Sequence, residues 1–131
     1  MNKKFLAGIL VVSTMIVLSS RISLAQDPLV VAPDAYKLVF ENERVRVMEV
    51  TFEPGAKIAE HSHPDHFAYI LEPGTLRISH PDGTWVDLEA KAGDVVWINA
   101  ETHWAENIGT TKIHILVTEL KENAPVVVTT Q

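Results

Sequence analysis

Residues 55–66 read Gly-Ala-Lys-Ile-Ala-Glu-His-Ser-His-Pro-Asp-His, and this stretch places three histidines within six residues. His61 and His63 are two residues apart, and because alternate side chains of a strand share a face, both imidazoles are expected to point the same way. Two neutral imidazoles on one face suit a borderline divalent metal such as zinc, iron, nickel, manganese or copper. The pattern therefore predicts a metal site, with the alternative that these histidines only pack or form hydrogen bonds.

A matching histidine lies 40 residues after His63. Residues 93–107 predict a strand, a short polar turn and a second strand that His103 opens. The strands between the two stretches can return the chain to the first histidine pair. If the sheet closes into a barrel, His103 lies opposite His61 and His63, and the mouth of the barrel is open to a ligand.

Short runs of β-branched and aromatic residues alternate with turn signals along the chain, which is typical of an all-β domain. Pro or Gly stands where each turn requires it, as in the Glu-Pro-Gly of residues 53–55 and the Pro-Asp-Gly of residues 81–83. The 131 residues suffice for one core rather than two. Strands are predicted at residues 36–40, 45–52, 68–71, 76–79, 85–88, 95–98, 103–106 and 113–120.

Polar side chains outside the histidine stretches are weaker candidates for a site. Arg46 shares a face with large apolar residues in the strand at residues 45–52. Either a bulge or an edge position keeps this arginine solvated, which we expect, or it points into a polar cavity. His80 stands at the start of a turn and is expected to be solvated. Glu101 could swing toward the predicted metal, but we expect it to face solvent. His114 either lines the interior of the barrel or occupies an ordinary core or surface position.

The first 25 residues have the features of an export signal. Lys3 and Lys4 form a short basic region, residues 5–18 are all apolar or small, and Ser23 and Ala25 are small residues of the kind that a signal peptidase reads. The apolar run is shorter than the roughly 20 residues of a membrane span, which favours cleavage over an uncleaved anchor. We therefore expect a periplasmic or secreted mature protein.

Composition excludes several classes of site and partner. The sequence contains no cysteine, so histidine and carboxylate have to hold any metal, and there is neither a disulfide nor a thiol nucleophile. Removing residues 1–25 leaves 8 basic and 17 acidic residues, a formal charge of −9. Nucleic-acid binding needs a basic footprint, so this balance excludes a nucleic-acid partner and disfavours a membrane surface after signal cleavage.

The two histidine stretches resemble the two conserved motifs of the cupin superfamily. The first family motif is Gly, five residues, His-x-His, three or four residues, Glu, six residues and Gly. The second is Gly, five residues, Pro-x-Gly, two residues, His, three residues and Asn. The resemblance covers roughly residues 36–121, with the second motif one residue shorter, and the matching residues are Gly55, His61, His63, Gly74, Gly93, His103 and Asn107.

The departure in the first motif concerns its glutamate, which is a metal ligand in the family. It would fall at Phe67 or Ala68, and neither side chain can bind a metal. His66 lies one residue earlier and is the natural substitute. Strict strand alternation would turn His66 away from His61 and His63, but Pro-Asp at residues 64–65 can break that alternation, so His66 is a fourth candidate ligand.

The resemblance implies an all-β, single-domain, double-stranded β-helix or jelly-roll barrel that is commonly a homodimer. It also implies a divalent metal, Fe, Zn, Ni or Mn, held by inward-facing side chains, for which the candidates are His61, His63, His66 and His103. The chain is then divided into a signal peptide at 1–25, an N-terminal extension at 26–35, the cupin domain at 36–121 and a C-terminal tail at 122–131.

Three histidines with open coordination positions resemble a catalytic metal site more than a closed structural one, which uses four protein ligands. The leading hypothesis is an exported small-molecule enzyme of dioxygenase, isomerase or lyase type. In the alternative, the protein is a non-catalytic module that binds or senses a metal or a small ligand. A third hypothesis is a structural barrel without metal. The sequence assigns no catalytic residue.

Overall fold

The computed structural model describes residues 26–121. The predicted signal peptide at 1–25 and the predicted tail at 122–131 lie outside the described residues. Within the described part, no helix is long and apolar enough to span a membrane.

Strands make up most of the described chain, and one short helix, α1 at Pro28–Val31, precedes them. Every predicted strand is present, with bounds that agree to within two residues, and the all-β prediction is confirmed. One further strand, β3, carries His61 and His63. The strands are β1 Tyr36–Glu41, β2 Val45–Phe52, β3 Lys57–His63, β4 His66–Glu72, β5 Gly74–Ser79, β6 Trp85–Ala90, β7 Val95–Ile98, β8 Glu101–Asn107 and β9 Ile113–Leu120.

The strands form two antiparallel sheets, in the orders β1-β2-β9-β4-β7 and β3-β8-β5-β6. The two residues between β3 and β4 carry the chain from the smaller sheet to the larger one. Buried apolar side chains from both sheets form one core cluster. The predicted double-stranded β-helix is confirmed.

Backbone conformation explains why glycine occupies two of the turns in the histidine motifs. Gly55 and Gly93 have φ angles of 78° and 89°, a region that residues with a Cβ rarely adopt. Gly74 has a different reason, because a Cβ there would clash with the side chain of Ile113. These positions fix the turns that enter and leave the strands of the site.

Arg46 corrects one expectation from the sequence. β2 pairs with β9 without any register shift from Val45 to Phe52, and the bulge lies instead in β1, between Leu38 and Phe40. Arg46 therefore keeps the inward parity of its apolar neighbours, with only 16% of its side chain exposed. The expectation of a solvated arginine is wrong, because buried acidic partners offset the cost of placing this charge inside.

The segment before β1 makes polar contacts with β2 and β3. Asp27 caps α1 by accepting a hydrogen bond from the Leu29 amide, and its other carboxylate oxygen lies 2.6 Å from Arg46. Gln26 bonds Glu60 and Ser62 on β3. The N-terminal segment is thus bound to β3, the strand that carries His61 and His63.

Candidate metal centre

Strand pairing brings three of the four candidate histidines together. His61 and His63 lie on the inward face of β3, and His61 stands directly opposite His103 in the β3–β8 ladder. A register shift between Ile58 and His61 sets this alignment. All three side chains are buried, and one potential ligand atom from each lies within 4.8 Å of the other two.

In each of the three rings, the Nδ1–H group donates a hydrogen bond to a partner outside the three-histidine group. His61 Nδ1 donates to the Ala59 carbonyl at 2.8 Å, and His103 Nδ1 donates to Glu101 at 2.6 Å. His63 Nδ1 lies 2.6 Å from Glu119 Oε1 and donates to it. These partners fix the tautomer, so each Nε2 carries a free lone pair.

Burial is the largest effect on the charge of these rings. It lowers the pKa of His61 and of His103 to about 4, and that of His63 to about 2. All three imidazoles are therefore neutral at pH 7, which is the form that binds a metal.

The facing nitrogens fit a cation between them. His61 Nε2 and His103 Nε2 lie 3.1 Å apart, and neither carries a proton to share. Two lone pairs at this distance repel unless a positive charge lies between them. Ligand atoms bound at 2.0–2.1 Å to one metal are separated by about 3.0–3.4 Å, so the spacing suits a divalent ion.

The hydroxyl of Tyr36 also lies beside these nitrogens, and no pattern in the sequence predicts this. Its hydroxyl oxygen lies 3.1 Å from His61 Nε2 and 3.4 Å from His63 Nε2. Burial, followed by the nearby charge of Glu119, raises the pKa of Tyr36 well above its ordinary value. The hydroxyl therefore keeps its proton in the metal-free protein and donates a hydrogen bond to one of these nitrogens.

Glu119 is the second group that sequence reasoning missed. It is 2% exposed and accepts hydrogen bonds from His63 and from Arg46, the latter at 2.7 Å. Burial raises the pKa of Glu119, while the Arg46 charge opposes that rise. A signal existed, because Glu119 has the parity of the inward apolar residues of β9, as Arg46 does on β2.

His66 lies beside the group rather than within it. It is 3% exposed, its Nδ1 donates to the Pro64 carbonyl at 2.8 Å, and its ring centroid lies 4.6 Å from that of His63. The change of sheet at residues 64–65 lets both rings face the interior. His66 does not belong to the three-histidine group, and its role as a ligand stays a prediction.

The remaining polar candidates divide between the interior and the outer face. Glu101, expected to face solvent, is half-buried and bonds His103. His80, with the same expectation, is half-buried with its Nδ1 4.0 Å from Glu101. Both line the interior cavity. Glu101 therefore turns inward to His103 instead of facing only solvent, and His80 is only partly solvated. His114 lies on the other face of β9, where it bonds Glu49 and is remote from the histidine group.

A cavity of about 230 Å³ opens beside the histidines. Its walls come from both sheets and are apolar, with Phe52, Ile70, Leu76 and Ile98 among them. The polar lining residues are Tyr36, His63, His66, His80, Glu101 and His103. Among residues 26–121, no lysine or arginine lines this cavity.

Comparison with known proteins gives relatives of the same architecture. A cupin domain from Bordetella pertussis Tohama I superposes with a TM-score of 0.61 at 26% identity, covering 66% of this chain and 91% of that one. A conserved Klebsiella pneumoniae protein with a double-stranded β-helix domain gives a TM-score of 0.56 at 24% identity, covering 68% of this chain and 77% of the other.

A relative of known activity is also similar in sequence. The (R)-mandelonitrile lyase of Granulicella tundricola is 35% identical over 95 residues. The match covers 71% of this chain and 66% of that protein, so about a third of the lyase has no counterpart in the match.

The family comparison covers the site itself. Residues 48–119 match the cupin-domain family model, and this segment runs from β2 into β9. It includes the three converging histidines, and it lies within the two sheets whose fold the solved cupin structures share. The chain belongs to the cupin family.

Proposed function

We propose that the protein is a metal-dependent lyase that acts on a small, uncharged molecule with an apolar body and one reacting oxygen. The observation that carries this proposal is the convergence of three unprotonated Nε2 atoms beside an apolar cavity. Similarity to an (R)-mandelonitrile lyase supports lyase chemistry over the dioxygenase and isomerase types.

The lining of the cavity supports the substrate class. Within the described residues it offers no lysine or arginine to pair with a carboxylate or phosphate of a substrate. Its apolar walls and its volume of about 230 Å³ suit a group the size of an aromatic ring. We therefore propose an aromatic cyanohydrin of the mandelonitrile kind, cleaved to an aldehyde and hydrogen cyanide.

When bound, a divalent metal would supply Lewis-acid chemistry at the substrate oxygen. His61, His63 and His103 would hold it through Nε2. The Nδ1–H of His66 donates a hydrogen bond to the Pro64 carbonyl, so its Nε2 would accept the hydroxyl proton of the substrate. The bond between the carbinol carbon and the nitrile then breaks. Cyanide leaves with the electron pair and takes up the proton, while the hydroxyl oxygen becomes the aldehyde carbonyl.

The test combines metal content with turnover. We expect near one equivalent of a transition metal by plasma mass spectrometry, and release of aldehyde from (R)-mandelonitrile. Both should be lost in the His61→Ala/His63→Ala variant and kept in His114→Ala, a control on the outer face of β9. Turnover that persists in the double variant would contradict the proposal. A ligand that stabilises the protein without being consumed would favour a non-catalytic binding module.

His66→Gln separates two roles for this residue. If His66 accepts the proton, the variant keeps its metal and loses about 10²- to 10⁴-fold in turnover. If it is a ligand, as the sequence predicts, the metal content itself falls.

We also propose that the chain is exported, cleaved after residue 25, and forms a homodimer without a nucleic-acid or membrane partner. Exposed apolar side chains on β1, an edge strand, support the dimer. They belong to Leu38, Val39 and Phe40. A second copy of the chain would cover them. Light scattering of the purified protein and N-terminal sequencing of the exported chain test these two statements, and a monomer or an uncleaved N-terminus would contradict them.

A further inference from the structure

We propose that the side-chain oxygen of Tyr36 is a fourth protein ligand of the metal that the three histidines hold. This rests on the metal site proposed above and adds a residue to it. Tyr36 opens β1, 25 residues before His61 and outside the segment at 48–119 that matches the cupin-domain family.

The positions of the donor atoms carry the inference. Tyr36 Oη lies 3.1 Å from His61 Nε2 and 3.4 Å from His63 Nε2. His61 Nε2 and His103 Nε2 are 3.1 Å apart. Atoms that share one metal at 2.0–2.2 Å are separated by about 3.0–3.5 Å, so the oxygen stands at ligand spacing from two of the histidine nitrogens.

The fold holds Tyr36 in this place although the rest of its strand faces outward. Tyr36 is 4% exposed and is the buried residue of β1, whose other residues are exposed. Its amide donates to the Ala32 carbonyl at 2.9 Å, and the residue pairs with Val50 of β2. The strand thus contributes a single side chain to the interior, and that side chain ends at the histidines.

Three histidines leave room for a fourth donor, since a divalent ion such as zinc commonly takes four ligands. The buried side chain of Ala68 on β4 has no donor atom. The hydroxyl of Tyr36 on β1, in contrast, stands at ligand spacing from His61 and His63.

Coordination requires that Tyr36 lose one proton. In the metal-free protein, the buried hydroxyl keeps this proton and donates a hydrogen bond to a histidine nitrogen. When the metal binds, that proton leaves to solvent and the phenolate oxygen takes the coordination position. The positive charge of the metal then offsets the cost of a buried phenolate.

The experiment uses the fact that the chain has two tyrosines, Tyr36 and Tyr69. Tyr69 is 39% exposed and serves as the matched control. The full-length protein is loaded with iron(III), and the visible charge-transfer absorption between phenolate and iron is recorded. We expect the band in the wild-type protein and in Tyr69→Phe. We expect Tyr36→Phe to lose the band and to bind metal about 10- to 100-fold more weakly.

The outcomes separate this inference from the metal site itself. Iron bound through the histidines without a charge-transfer band, or equal metal affinity in Tyr36→Phe, would overturn the role of Tyr36 and leave the three-histidine site standing. Failure of the wild-type protein to bind any metal would overturn both. If Tyr36→Phe does not fold, the band in Tyr69→Phe still decides, since it can then arise only from Tyr36.

Discussion

Glu119→Gln tests how the interior charges prepare the metal site. The side chain keeps its size but loses the negative charge that holds the Nδ1 proton of His63. In the wild-type protein, this contact of 2.6 Å fixes the ring so that Nε2 faces His61 and His103. A neutral amide accepts this hydrogen bond more weakly, and the orientation and basicity of His63 both fall.

Two magnitudes follow from these contacts. Outer partners of ligating histidines change metal affinity by about 10- to 100-fold, which corresponds to about 1.4–2.7 kcal/mol. The metal-free protein also loses stability, because among residues 26–121 Arg46 then keeps only Asp27 as a charged partner. Arg46 is 16% exposed, so we expect a loss of about 1–3 kcal/mol in the free energy of unfolding.

The assay is a chelator competition for the metal dissociation constant, with urea unfolding of the metal-free protein alongside it. The control is Glu49→Gln, which removes the same charge from a glutamate–histidine pair on the outer face of the barrel. We expect this control to leave metal affinity unchanged. Wild-type affinity in Glu119→Gln, or an equal loss in Glu49→Gln, would refute the reasoning.

Three further predictions concern pH, packing and the cavity. Folding lowers the pKa values of three buried histidines, His61, His63 and His103. The unfolded chain therefore binds more protons than the folded protein below pH 6.5. The metal-free protein should lose at least about 2 kcal/mol in the free energy of unfolding between pH 7 and pH 5. Urea unfolding at both pH values measures this loss, and a stability independent of pH would contradict it. Gly74→Ala places a Cβ that clashes with the side chain of Ile113, so a loss of about 1–3 kcal/mol is expected in thermal or urea unfolding, and wild-type stability would contradict it. Ala68→Leu narrows the cavity without removing a candidate metal ligand. Metal content should therefore stay constant while turnover of (R)-mandelonitrile falls at least about tenfold, and unchanged turnover would argue against this cavity as the substrate site.

Local patterns in the sequence were sufficient for the strands and for part of the site. The spacing of His61 and His63 predicts a shared face because side chains alternate along any strand, whatever its partners are. Pro and Gly at the turns predict where strands end, since these residues restrict or extend the backbone locally. The likeness of both histidine stretches to the cupin motifs added the barrel, and with it the position of His103.

Tertiary structure decided which distant residues complete the site. Tyr36, Arg46 and Glu119 belong to strands whose registers no local pattern specifies, and their meeting with the histidines depends on β1-β2-β9 pairing and on closure of the two sheets. The same holds for His66, whose inward position depends on the passage of the chain from one sheet to the other. The sequence by itself determined the strand pattern and a cluster of metal-binding side chains, because alternation and turn chemistry act between near neighbours. Only the folded barrel determined the buried charges and the phenol that surround them, because those contacts form between residues far apart in the chain.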